Sequence, residues 1–271
     1  MTKTLSRRTA LMTGAALMAG LLAGCGSVDV GAELDPQVLA PGSSEQVSRA
    51  DDLFTQGLQF SEDGTSLYHS GGGYGNSRVV RMSPDGEVLA SHALSKDVFA
   101  EGLTLIDDEV YVLTWKEHLV YVLDAVSLEP RRTLELPGEG WGISWDAQRE
   151  LLWVSDGSAV IRAFDREMTP VVDEDIAVRL PSGEELAGLN ELELIGGRLW
   201  ANVWKSDLLV AIESDGSVVD VLDAGALVPE GTAHGEVTNG IARDPSSAEV
   251  WITGKRWDRY WVIDEELFSS Q

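Results

Sequence analysis

The chain has 271 residues, of which 44% are hydrophobic, so it is long enough to bury one large core or two small ones. Its formal net charge is −25, with 45 acidic side chains against 20 basic ones. This excess argues against a nucleic-acid-binding protein, because lysine and arginine supply most of the affinity for phosphate backbones.

The first 25 residues resemble an export signal. Arg7 and Arg8 precede an apolar stretch that is too short and too glycine-rich for a stable membrane span, as in a twin-arginine signal. The stretch ends in Leu-Ala-Gly-Cys, residues 22–25, which resembles a bacterial lipobox. We therefore predict a protein that is exported and anchored by lipid on Cys25 to the outer face of the cytoplasmic membrane. The alternative is an ordinary secretory signal with an incidental cysteine.

The composition beyond the signal gives little support to metal or cysteine chemistry. Residues 26–40 are predicted to be a flexible tether, because small and polar residues dominate there. Cys25 is the only cysteine, so we expect no internal disulfide and no cysteine nucleophile. The four histidines do not stand at zinc-ligand spacing. We expect no metal centre and no cofactor, and we leave a structural calcium ion open.

Residues 41–271 are predicted to form one domain built from five repeats. Each repeat begins with a polar or aromatic residue, a small or acidic residue and an aliphatic residue, and then alternates between apolar and polar positions. Units of about 40–50 residues with four short antiparallel strands are typical of β-propeller blades. We therefore predict an all-β, five-bladed propeller, with a twisted β-sandwich as the alternative. The repeats begin at Gln56, Glu101, Trp141, Asn190 and Asn239.

The two ends of the chain are predicted to close this ring together. The last repeat lacks a clear fourth strand, and the segment before the first repeat can supply one. Pairing the N-terminal and C-terminal segments in one blade would also remove an unpaired strand edge.

The five repeat heads are expected to converge at one end of the propeller axis, because the first strand of each blade lines that axis. The second strand is antiparallel to the first, so its far end returns beside the head. The residues at these far ends are Ser70, Trp115, Asp156, Trp204 and Lys255. Two rings of mostly polar and aromatic residues are thus predicted to meet at one mouth of the central channel. A channel that only had to be filled would more often carry valine, isoleucine and leucine.

Glu101 is the strongest candidate for chemistry in these rings. A carboxylate among tryptophans at a channel mouth is partly desolvated, which raises its pKa toward neutrality and suits general acid–base catalysis. The three tryptophans of the rings are expected to form an apolar pocket. Gln56 and Asn239 also have a structural explanation, since amide side chains can tie neighbouring strands together.

Eight short segments stand in a characteristic order along the chain. They are FTQGL (54–58), FAEGL (99–103), LTWK (113–116), EGWG (139–142), NELE (190–193), WANVW (200–204), NGIA (239–242) and TGKRW (253–257). Together they resemble the glutaminyl cyclases of the plant and bacterial type over nearly all of residues 50–264. The resemblance implies a five-bladed propeller that converts the N-terminal glutamine of a peptide to pyroglutamate and releases ammonia, without a catalytic zinc.

The resemblance also implies the site and the partner. The general acid/base of the family falls on Glu101, and Gln56, Asn190 and Lys255 are candidate donors to a developing oxyanion. The implied substrate is a peptide or protein with an N-terminal glutamine, and we expect the protein to act as a monomer. The implied substrate-binding residues are Phe54, Gln56, Trp115, Trp141, Asn190, Trp204 and Lys255.

Two segments depart from the family pattern. The family usually has YESTGLYG after the first hairpin, whereas this chain has YHSGGGYG at 68–75, so His69 replaces a glutamate. The family's His-Asp before the first motif is replaced by SRADD at 48–52. Neither change removes a proposed site residue, but both bear on substrate preference and on loop rigidity.

Two other functions remain as alternatives. A non-catalytic binding or scaffold lipoprotein would use the mouth to hold a ligand, and Glu101 would then tolerate replacement by glutamine. A calcium-dependent propeller of the lactonase type usually has six blades and a carboxylate-rich cluster on its axis. The predicted axis instead carries one glutamate together with amides.

Overall fold

The structure is a computed structural model in which residues 30–41, 45–49 and 53–268 are described. The predicted export signal and the predicted lipidation site Cys25 lie outside these residues. Within the described part of the chain, no helix is long and apolar enough to cross a membrane.

The described residues form five antiparallel blades, which confirms the predicted all-β, five-bladed propeller. Blade 1 has the strands Phe54–Phe60, Leu67–Gly72, Arg78–Met82 and Val88–Ala93. Blade 2 has Ala100–Ile106, Glu109–Thr114, Leu119–Asp124 and Pro130–Glu135. Blade 3 has Ile143–Asp146, Leu151–Val154, Val160–Phe164 and Ile176–Ala177. Blade 4 has Leu189–Ile195, Arg198–Val203, Leu208–Ile212 and Val218–Asp223, and blade 5 has Thr238–Asp244, Glu249–Gly254, Arg259–Asp264 and Glu45–Ser48.

The first strands of neighbouring blades contact one another around the axis, so they form the inner wall of the propeller. They are almost entirely buried, whereas the fourth strands of blades 1 and 2 alternate between exposed and partly buried positions. Apolar clusters fill the spaces between adjacent blades. Short 3₁₀ helices lie outside the strands, at Val172–Glu174, Gly225–Leu227 and Glu265–Phe268.

Blade 5 joins the two ends of the chain, as the sequence predicts. Its fourth strand, Glu45–Ser48, precedes the first repeat and pairs antiparallel with Arg259–Asp264. Glu45 lies opposite Val262 and Ser48 lies opposite Arg259. The backbone hydrogen bonds of this pairing hold the last blade to the start of the domain and close the ring.

The segment 30–40 differs from the predicted flexible tether. Val30–Glu33 forms one helical turn, and Gln37–Val38 adds a short parallel strand to the outer edge of blade 4. Val30 and Leu39 are only 3% and 2% exposed. These apolar side chains pack into the clusters beside blade 4, and burying them stabilises the segment in a fixed position.

The inner strands approach one another most closely at the glycines that follow three of the repeat heads. A Cβ atom on Gly57 would lie 2.4 Å from the Leu103 nitrogen, and one on Gly102 would lie 2.7 Å from the Trp141 oxygen. A Cβ atom on Gly142 would lie 2.1 Å from the Asn190 oxygen. Because each of these contacts is with backbone, no side-chain movement can relieve it, and only glycine fits.

The heads themselves lie in irregularities of their strands. In blades 1, 2, 4 and 5 the register of the first hairpin shifts at the head, which is the position of a β-bulge. A bulge bends the strand and re-aims one side chain out of the regular alternation. The residues at these shifts include Gln56, Glu101, Asn190 and Asn239.

Blade 4 places a buried carboxylate, Glu191, where the other heads are followed by glycine. Its two oxygens accept hydrogen bonds from the Leu58 nitrogen of blade 1 at 3.4 Å and the Ile241 nitrogen of blade 5 at 3.0 Å. Burial, and secondarily the nearby Glu193, raises the pKa of Glu191 well above its ordinary value. Burial likewise raises the pKa of Glu193 to about 8. The Glu191 side chain thus ties blade 4 to two other inner strands beneath the heads.

We predict that Gly142→Ala lowers the free energy of unfolding by about 3 kcal/mol, because the new methyl group would overlap the Asn190 carbonyl. Urea denaturation of the wild type and the variant measures this change. Gly225→Ala is the matched control, since its nearest neighbour would be the side-chain carboxylate of Asp223 at 3.0 Å. Equal stability of the two variants would show that the close approach of the inner strands is not a constraint.

Candidate active site

The repeat heads open into a cavity of about 290 Å³ at one end of the propeller axis. The structure brings together all eight side chains that the sequence places in the site, and it adds Phe99. The lining residues are Phe54, Gln56, Phe99, Glu101, Trp115, Trp141, Asn190, Trp204 and Lys255. They come from all five blades, so the cavity exists only in the closed ring.

Three members of the two predicted rings do not line this cavity. The Ser70 hydroxyl donates a 2.6 Å hydrogen bond to the Glu101 carbonyl and so joins blade 1 to blade 2. The Asn239 amide donates to the Thr55 carbonyl at 3.1 Å and joins blade 5 to blade 1. Asp156 is paired with Arg162 at 3.2 Å. Ser70 and Asn239 therefore serve the contacts between blades, as the structural explanation of Asn239 predicts.

Glu101 lies on the floor of the cavity and is 5% exposed. Its carboxylate accepts a hydrogen bond from the side-chain amide of Gln56. Burial raises the pKa of Glu101 well above its ordinary value; the charge of Lys255 opposes this shift, and the charges of Glu117 and Glu139 add to it. A carboxyl group in this environment holds a proton more readily than an exposed one, which suits a group that must both accept and donate a proton.

Lys255 is the cation of the cavity and is 6% exposed. Its Nζ lies 5.0 Å from the centroid of the Phe54 ring. Burial lowers the pKa of Lys255, and the nearby charge of Glu101 works against that shift. The two buried groups thus stabilise each other's charged forms.

The Gln56 amide is oriented differently from the oxyanion donor that the sequence suggests. Its nitrogen is committed to Glu101, and its oxygen Oε1 is buried with no hydrogen-bond partner among the described residues. A buried acceptor without a partner costs free energy unless a ligand supplies a donor. Gln56 is therefore suited to accept a hydrogen bond, which leaves Asn190 and Lys255 as the candidate donors.

Aromatic side chains form the walls above these polar groups. The Trp141 and Trp204 rings meet edge to face with centroids 5.2 Å apart, and the Phe99 and Trp115 rings do so at 5.7 Å. Glu139 accepts hydrogen bonds from Trp115 Nε1 at 2.9 Å and from Trp141 Nε1 at 3.3 Å. One carboxylate therefore fixes the orientation of two tryptophans from neighbouring blades.

Sequence reasoning missed Phe99 and Glu139 as site residues, although a signal was present. Each stands two positions before a repeat head, as Phe54 does. This shared spacing before the heads is the signal that could have found them. Glu139 does not line the cavity, but it acts through the two indoles that do.

The turn at 73–75, which follows the second strand of blade 1, forms one edge of the mouth. Tyr74 is 51% exposed, and its ring lies 5.5 Å from that of Phe99. The Tyr74 hydroxyl donates to Glu117 at 2.9 Å. His69, the departure from the family pattern, is instead fully buried within hydrogen-bond distance of Thr55 and Tyr260. This histidine packs between blades 1 and 5 and does not line the cavity.

A larger cavity of about 480 Å³ lies near the opposite ends of the inner strands. Its charged side chains already have partners, including Arg149 with Glu174 and Arg243 with Glu265. Within the described residues, no group of three histidine, cysteine, aspartate or glutamate side chains is placed to hold a metal ion. The cavity at the repeat heads is therefore the better candidate for chemistry, since it combines a buried carboxyl group, a buried ammonium group and unpaired amide atoms.

Known proteins resemble the chain in both sequence and fold. A family model described as glutamine cyclotransferase matches residues 16–264. The glutaminyl-peptide cyclotransferase of Arabidopsis thaliana is 33% identical over 228 residues, which cover 81% of this chain and 69% of the plant protein. The crystal structure of Myxococcus xanthus glutaminyl cyclase superposes with a TM-score of 0.74 at 29% identity and covers 84% of this chain and 97% of that one. The chain belongs to the glutamine cyclotransferase family.

Proposed function

We propose that this protein is a glutaminyl-peptide cyclotransferase, which converts the N-terminal glutamine of a peptide or protein to pyroglutamate and releases ammonia. One observation carries the proposal: a buried carboxyl group, Glu101, faces a buried lysine at the base of an aromatic cavity with room for one residue. Membership of the family and the two named relatives support the same activity.

The cavity is suited to fold a glutamine side chain back on its own amine. The reacting groups are already joined, so the enzyme gains rate by holding them in a ring-like pose. Aromatic walls can pack against the two methylene groups, and the unpaired oxygen of Gln56 can accept a hydrogen bond from the α-amine. The carboxylate of Glu101 lies beside that oxygen, because the Gln56 amide also donates to it.

Glu101 is suited to move both protons of the reaction. The α-amine nitrogen attacks the γ-carboxamide carbon and forms the new C–N bond while Glu101 accepts a proton from the amine. The same carboxyl group then returns the proton to the leaving nitrogen, the old C–N bond breaks, and ammonia departs. A raised pKa serves this double role, since the group must accept and donate a proton within one turnover.

Lys255 and Asn190 are suited to stabilise the oxygen that gains negative charge during the attack. Both line the cavity, and Lys255 is buried. Preorganised donors in a site of low water content stabilise a developing oxyanion more strongly than water does. The Trp141 and Trp204 pair covers one side of the cavity, and this cover disfavours hydrolysis of the amide to glutamate.

The test of the proposed function is incubation of the purified protein with a peptide that begins with glutamine. We expect ammonia release together with a mass loss equal to one ammonia. The control is the same peptide with an acetylated N-terminus, which has no free amine and should not react. Binding of the first peptide without ammonia release would instead favour a non-catalytic binding module.

We predict that Glu101→Gln lowers turnover of a glutamine-initiated peptide by about 10²–10⁴-fold while the protein remains folded, because the amide keeps the shape but cannot carry the proton. Initial rates and thermal melting curves measure the two effects. Glu193→Gln is the matched control, since it makes the same change at a buried carboxyl group outside the cavity. Near-normal turnover of Glu101→Gln would assign Glu101 a structural role.

We further propose that the protein acts outside the cytoplasm as a lipid-anchored monomer. The Leu-Ala-Gly-Cys sequence at 22–25 supports the anchor, and a cavity built from one chain supports the monomer.

We predict that Cys25→Ala moves the protein from the membrane fraction to the soluble fraction, as measured by immunoblotting after cell fractionation. Retention of the variant in the membrane fraction would contradict lipidation at this residue.

A further inference from the structure

Lysines are concentrated at the mouth of the cavity. The chain has few lysines and a net charge of −25, yet Lys116 directly follows Trp115, Lys205 directly follows Trp204, and Lys255 itself lines the cavity. Since acidic side chains far outnumber basic ones in the chain, three of its few lysines are thus grouped around one cavity.

Two of these lysines lie over tryptophan rings that line the cavity. The Lys116 Nζ lies 3.8 Å from the centroid of the Trp115 ring, and the Lys205 Nζ lies 4.2 Å from that of the Trp204 ring. Both lysines are exposed to solvent. A cation over an aromatic face is attracted to it, so each ammonium group is kept beside a tryptophan of the cavity.

Neither of these two lysines forms an ion pair with a described carboxylate. Most arginines of the described chain form ion pairs, and at the mouth Arg256 lies 3.5 Å from Glu236. Among the described residues, no carboxylate lies within 4.0 Å of the Lys116 or Lys205 ammonium group. The carboxylates of Glu117 and Glu139 accept hydrogen bonds from Tyr74 and from the two indoles and do not pair with these lysines.

We infer that Lys116 and Lys205 form a subsite for acidic side chains that follow the N-terminal glutamine of the substrate. This inference rests on the proposed function. If the glutamine fills the cavity, the rest of the peptide must leave through the mouth, between the Trp115 wall of blade 2 and the Trp204 wall of blade 4. An aspartate or glutamate close behind the glutamine then meets one or both free ammonium groups. The substrate class is a glutamine-initiated peptide with acidic residues near its start.

The test compares three amidated peptides that begin with glutamine and carry glutamate, alanine or lysine at the next two positions. We expect kcat/KM to fall in that order. The preference for glutamate over alanine should shrink by about two- to fivefold for each of Lys116→Gln and Lys205→Gln, the range of an exposed ion pair. It should also shrink as the salt concentration rises, because exposed charges are screened.

Arg149→Gln is the matched control, since it removes a cation that is stacked over a tryptophan, Trp153, away from the mouth. It should leave the ratio of rates unchanged. If a lysine substitution merely disturbed the position of Trp115 or Trp204, the cyclisation of all three peptides would slow alike. Only a change in the ratio of kcat/KM between the glutamate and alanine peptides therefore supports the subsite. Equal rates for the three peptides in the wild type, or an unchanged ratio in the double lysine variant, would overturn it. Failure to cyclise any of the peptides would overturn the proposed function itself.

Discussion

The close approach of the inner strands at Gly57, Gly102 and Gly142 is the constraint on which the site depends. There the backbones of adjacent blades touch, and the Gly102 nitrogen donates a 2.7 Å hydrogen bond to the Trp141 carbonyl. Each of these glycines follows a head residue that lines the cavity, so the contact fixes the backbone from which a functional side chain projects. Ring closure by the terminal strands holds the five inner strands at this distance.

A second constraint is electrostatic. Burial makes the ionised forms of Glu101 and Lys255 unfavourable when either group is alone. The opposite charge of the partner lowers the free energy of ionising each group. Glu117 and Glu139 oppose the ionisation of Glu101 from the edge of the mouth. Glu139 has two roles, because it also orients the tryptophans of the wall. The acid–base group and the walls of the pocket are thus linked through one carboxylate.

The alternation of apolar and polar residues within each repeat predicts the blades. Short strands that follow one another in the same order in every repeat pair most simply with their neighbours in sequence. The repeat pattern also predicts seven of the nine cavity residues, since the heads and the returning strands must meet at one end, whereas Phe54 follows only from the resemblance to the family. The sequence pattern does not distinguish the heads that line the cavity from Asn239, whose amide instead donates a hydrogen bond to the Thr55 carbonyl. That choice depends on contacts between blades that are distant in sequence. The burial of Val30 and Leu39 against blade 4 was missed for the same reason, because a short apolar segment shows no periodicity.

The pH dependence of kcat/KM for the wild type, Lys255→Met and Glu139→Gln tests most directly whether Glu101 is a base tuned by its neighbours. Glu101 must be ionised to accept the proton, so activity is lost as the pH falls through its pKa. Removing the Lys255 charge should move this acidic limb to higher pH, and removing the Glu139 charge should move it to lower pH. The peptide is the same throughout, so its own amine cannot cause a difference between the curves. Coincident acidic limbs for the three proteins would contradict the assignment of Glu101 as the tuned acid–base group.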